Sequence, residues 1–155
     1  MACDVLTAQV CAFTKGDFGK ALQASCAIPE LRRPVAIGEG LYVDGGVMAN
    51  VPVDQARAFG ADVVIAVNVD DNLLPMQKKE FRRIGGVSYR SFNMLLATAD
   101  NPTAAKADIL IHPDVNKIGI ISLKREVAMR AMEAGEAAAE AALPAIRKAL
   151  AERAH

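Results

Sequence analysis

Tryptophan is absent from this chain, cysteine occurs three times, histidine twice, and neither sign of charge is in excess. Each scarcity removes a class of function. Eighteen basic residues against eighteen acidic ones leave no net charge, and so no electrostatic footprint for nucleic acid. Cys3, Cys11 and Cys26 form an odd set without CxxC spacing or nearby histidines, which argues against a zinc site or a disulfide framework and for reduced thiols. No run of about 18 apolar residues is present to span a bilayer, and the first residues lack the charged-then-apolar pattern of a secretion signal. The expected location is cytoplasmic. Without a Gly-x-Gly-x-x-Gly or a phosphate loop, Asp70 and Asp71 read as a solvated turn rather than ribose or metal ligands.

What is present is apolar material for a core: 52% of the 155 residues are hydrophobic, in one domain's length of chain. A chain of this size buries roughly two-thirds of the surface its unfolded form exposes. Met1 to Val5 and Gln9 to Phe13 read as two short strands joined around Leu6-Thr7-Ala8. Asp17 is placed to cap a helix through Ser25, which must end before Pro29. Val35 to Ile37 and Leu41 to Val43 read as strands flanking the Gly38-Glu39-Gly40 turn. Pro52 suits the first turn of a helix running to Phe59, with Gly60 as its stop. Ala61 to Val69, "ADVVIAVNV", reads as a strand buried on both faces. A helical stretch is expected over 76–98 with an interruption at Gly85-Gly86, then a short strand over 107–111. A helix from Ser122 follows, broken at Pro144, with Gly135 and the alanines packing closely on a neighbour. Strand, helix, strand in this order implies an α/β layer architecture, with no internal boundary over 1–155.

The stretch "YVDGGVMANVP", residues 42 to 52, ends a strand in a lone carboxylate followed by two glycines. That places Asp44 at the carboxyl edge of a sheet, where open α/β proteins hold ligands, and glycine allows close approach. Asp-Gly is equally a strong turn signal. The neighbours of Asp44 extend the pattern: Ala-Ser-x-Ala-x-Pro at Ala24 to Pro29, Asp-Gly-Gly at Asp44 to Gly46, Asn50-x-Pro52, and Ala-Arg-x-x-Gly-Ala-Asp at Ala56 to Asp62. With "ADILIHPDV" at 107–115 and the alanine-rich ending, the chain resembles the patatin-like phospholipase family in its bacterial form.

The resemblance implies the C-terminal portion of a single three-layer α/β/α domain with a mostly parallel central sheet. It also implies a serine acyl hydrolase working through a Ser-Asp dyad on a lipid ester. Asp44 would be the general base, with Gly45, Gly46 and Asn50 shaping the site, and no metal or organic cofactor is implied. The nucleophilic serine of that family sits in Gly-x-Ser-x-Gly, and none of the four serines here, Ser25, Ser88, Ser91 and Ser122, has that frame. Hydrolysis by this chain alone is therefore not expected, and the missing first half, or self-association, is the expected partner. Ser25 lies late in a helix and not on a strained exposed turn, so it is read as packing near the Asp44 loop. His112 and His155 lack an acidic and nucleophilic partner in motif spacing. Ala8 departs from the family's usual glycine, which bears on the hairpin's geometry. Lys78, Lys79, Arg82 and Arg83, set among Leu73, Leu74, Met76, Phe81 and Ile84, are a candidate for contact with anionic headgroups. The rival to a hydrolase fragment is a non-catalytic remnant that binds protein or lipid; a nucleotide-binding half-domain rests only on the strand-helix-strand order.

Overall fold

The computed structural model describes residues 1–29, 31–69, 75–82, 86–116, 118, 122 and 124–153. The chain divides into two compact units, Met1–Asn50 and Val51–His155.

In the first unit, β1 (Ala2–Asp4), β2 (Gln9–Cys11), β3 (Val35–Ile37) and β4 (Gly40–Asp44) form one antiparallel sheet in the order β2-β1-β4-β3. Its register sets Ala2 opposite both Cys11 and Asp44, and Val35 opposite Tyr42. The hairpin between β1 and β2 is closed by Asp4, only 8% exposed, whose Oδ1 accepts from the amides of Leu6 at 3.0 Å and Leu41 at 3.4 Å. Ala8 turns the hairpin at φ +55°, in the left-handed region that favours glycine. The ring of Phe13 meets that of Tyr42 edge-on at 5.0 Å, covering the sheet beside the hairpin.

Helix α1 (Phe18–Ser25) starts where a side chain can satisfy its first free amides: Asp17 Oδ1 accepts from Lys20 N at 3.0 Å. It stops before Pro29, as expected, and packs on β1, β3 and β4. The contact is close because Ala24 and Ala27, 0% and 1% exposed, present only methyl groups. A short helix, α2 (Gly46–Ala49), follows β4 directly.

In the second unit, α3 (Val53–Ala58) begins after Pro52 and ends at Gly60, whose φ is +87°. Its core is Val51, Val53, Val64, Ala66 and Ala104. Strands β5 (Ile65–Val67) and β6 (Ile109–Ile111) pair in parallel, Ile65 opposite Ile109, and α5 (Arg125–Arg153) packs on β6. The α/β class read from the sequence is the class that folds: helices with two sheets, one of them parallel.

Several local expectations need correction. Only three residues of the 61–69 run form β5, and the strand is not buried on both faces: Ala66 is 6% exposed, Ile65 41% and Val67 53%. Ile65 and Val67 share the face opposite Ala66, and that face stays in solvent. The helical stretch over 76–98 divides into a 3-10 turn, Lys78–Arg82, and α4 (Gly86–Ala104), which runs on past Pro102. Pro144 does not break α5. Its fixed φ is helical, and the Glu140 carbonyl that loses its donor lies on an exposed turn open to water. Gly135 does not serve close packing either, since a Cβ built there meets nothing within 4 Å and no residue of α5 is buried.

Candidate functional site

The site is built on the last residue of β4, which lies between β1 and β3 in the four-stranded sheet. Asp44 is half-buried there, fixed from two sides: its amide donates to the Ala27 carbonyl at 3.0 Å, and its Oδ1 accepts from Gly46 N at 2.8 Å. The second bond closes an i to i+2 turn, so the turn reading of Asp-Gly holds as local geometry. It occupies one of about four acceptor positions of an ionised carboxylate and sets the plane of the rest.

The two glycines are needed for space and not for unusual dihedrals. Gly45 has φ −62°, ψ −26°, open to any residue. A Cβ on it would lie 2.9 Å from the Met1 carbonyl oxygen, inside contact distance of backbone. A Cβ on Gly46 would lie 3.0 Å from Asn50 Oδ1 and 3.1 Å from Asp44 Oδ1. Asp44, Gly45, Gly46 and Asn50, four residues singled out in the sequence, are thereby brought together, with Gly45 buried and Asn50 exposed.

Cys3 is the residue that sequence reasoning missed. It is 3% exposed, and its Sγ donates to the Gly45 carbonyl at 3.5 Å. Burial pushes its thiol above the ordinary value, a hydrogen bond from the Met48 backbone opposes this, and the nearby Asp44 charge adds to the rise. The thiol is thus held neutral beneath the turn, as a donor and not a nucleophile. The signal lay in the register: Cys3 is opposite Val43, so its side chain belongs to the same layer as the residues leading into Asp44.

The other candidates fall elsewhere. Ser25 is half-buried at the end of α1, and the hydrogen bond from that segment to β4 is made by Ala27. His112 is exposed after β6 in the second unit. His155, Asp70, Asp71 and Arg83, with the side chain of Arg82, lie outside the described residues; Lys78 and Lys79 are exposed. Among the described residues no group of His, Cys, Asp or Glu is arranged to hold a metal ion.

In the second unit Arg57 organises the loop ahead of β5. Its Nη1 donates to the carbonyls of Ala61 at 3.1 Å and Asp62 at 2.9 Å, and its Nη2 pairs with Asp108 Oδ2. The same carboxylate oxygen accepts from Val64 N at 2.7 Å. The Val64 amide, then the Arg57 guanidinium, hold the Asp108 carboxyl below its ordinary value.

The family model described as Patatin-like phospholipase matches residues 4–57. An uncharacterized NTE family protein of Mycobacterium bovis is 31% identical over 169 aligned positions, covering 94% of this chain. Over residues 4–57 the chain is patatin-like. Two uncharacterized NTE family proteins of Mycobacterium tuberculosis match to the same extent. The chain spans 28% of the length of each of these relatives. Within the patatin-like segment lie the whole Asp44–Asn50 turn, the Ala27 carbonyl that holds it, and Arg57 at its end.

Proposed function

We propose that this chain supplies the aspartate of a patatin-like lipid acyl hydrolase, with Asp44 as general base for a serine carried outside these 155 residues. The observation that supports it most is the Asp44 carboxylate itself: placed at a strand end, oriented by the Gly46 amide, and only half-buried. A serine hydroxyl is a poor nucleophile until a positioned base takes its proton, and a dyad needs no histidine. In such a reaction the serine oxygen attacks the ester carbonyl as its proton passes to Asp44, and the alcohol leaves with that proton. Water then releases the acyl group by the same route. The substrate class is a phospholipid or related lipid ester; oxyanion donors and nucleophile come from the remainder of a larger domain, of which residues 1–155 are the C-terminal portion.

The test starts from the coding DNA upstream of the Met1 codon, read in all frames of that strand. An adjoining Gly-x-Ser-x-Gly is expected, in frame or one slip away. The joined polypeptide should hydrolyse phospholipid, and Asp44→Asn should lower its rate roughly 10²- to 10⁴-fold without unfolding it. A joined polypeptide indifferent to Asp44→Asn would overturn the assignment. The exposed Ile65 and Val67 on β5 also suit a module that only binds, and that reading would then take its place.

A further inference from the structure

We propose that one face of α4 is a membrane-docking face that lies on an anionic lipid surface, with Lys78 and Lys79 against the headgroups. Among the described side chains of α4 between Gly86 and Thr98, the exposed ones are Val87, Ser88, Ser91, Met94, Leu95 and Thr98. At about 100° per residue they fall within an arc of roughly 120°, and the half-buried Arg90, Phe92, Asn93, Leu96 and Ala97 fill the opposite side. The exposed arc holds no charge, although the solvent face of a surface helix is ordinarily where charge collects. Its large members stand well out of the protein: Val87 is 61% exposed, Met94 51% and Leu95 70%.

The cations lie on the 3-10 turn that precedes α4 in the chain. The 3-10 turn Lys78–Arg82 packs against α4 and presents Lys78 and Lys79 to solvent beside Met76, 43% exposed. Residues 75–98 carry five basic residues and one acid, in a chain whose total charge is zero. Charge complementarity selects the occupant: cations beside an uncharged apolar stripe match anionic headgroups over acyl chains, whereas a second copy would present the same cations. No helix among the described residues is long and apolar enough to cross a membrane. The inference does not rest on the hydrolase reading, because vesicle binding needs no catalytic group.

The experiment is co-sedimentation of the full chain with phosphatidylcholine vesicles, with and without phosphatidylglycerol. Binding is expected to the anionic vesicles, to weaken with salt, and to be slight on the neutral ones. Reversing both lysines, Lys78→Glu with Lys79→Glu, should lower the partition coefficient roughly 25-fold or more, at about fivefold per lysine lost. Met94→Ser with Leu95→Ser should lower it by about tenfold as well. All four side chains are exposed, so an unchanged circular dichroism spectrum certifies the fold of each variant. Equal binding to both vesicle types, binding that survives both variants, or no binding would each overturn the proposal. Self-association in the ultracentrifuge abolished by the Met94 and Leu95 changes, without vesicle binding, would assign the face to a second copy instead.

Discussion

The amide of Asp44 donates to the carbonyl of Ala27 across 3.0 Å, so the end of α1 and the end of β4 are held as one piece. Ala27 is 1% exposed, so a larger side chain there would enter the packed interior. Ala27→Val should therefore cost about 1–3 kcal/mol by overpacking, read as a lower urea midpoint at constant slope. An unchanged midpoint would mean the segment yields freely and does not fix Asp44.

The two glycines after Asp44 should respond unequally. Gly45→Ala drives a methyl group into the Met1 backbone and should destabilise by roughly 1–3 kcal/mol. Gly46→Ala meets side-chain oxygens at 3.0 and 3.1 Å, which can shift, and gains helix propensity, so its cost should be the smaller of the two. Thermal unfolding of both variants measures the difference, and the reverse order would contradict the packing described.

Ala8 is the one non-glycine residue with positive φ among the described residues. Ala8→Gly should raise stability by up to about 1 kcal/mol, relief of the left-handed strain outweighing the added freedom of the unfolded chain. A denaturation midpoint that falls on this change would show that the hairpin tolerates Ala8 without strain.

Asp108 gives the second unit a pH dependence of known sign. Its carboxyl is held below the ordinary value by the Val64 amide and by Arg57. A depressed carboxylate contributes stability that is present above its unfolded value and is lost as pH falls through the lower folded value. Asp108→Asn should lower stability at neutral pH and flatten the acid limb of the urea midpoint against pH. An acid limb as steep as that of the parent chain would remove Asp108 from the titration.

The hairpin, the Asp17 cap and the Pro52-to-Gly60 limits of α3 were legible in the sequence because each is set by a neighbour within a few residues. The strand-then-turn placement of Asp44 was legible for the same reason. The length of β5 was not: an apolar run such as 61–69 records a demand for burial, and how much of it becomes strand depends on how many edges find partners. Pro144 misleads because its fixed φ suits a helix and the bond it removes is already wet. The Cys3 bond to Gly45 and the Arg57 pair with Asp108 span 42 and 51 residues, distances over which no local rule acts.

If a serine-bearing segment completes the proposed site, the contact between Met1 and Gly45 bears on where that segment enters. Because the Met1 carbonyl lies against the glycine that follows Asp44, any polypeptide joined ahead of Met1 enters within one residue of the carboxylate. A segment delivered there needs no tether to reach it, and its effective concentration at the turn is set by the junction itself. Supplied as a separate chain, the same segment would have to find the turn by diffusion and bear the full entropy of association.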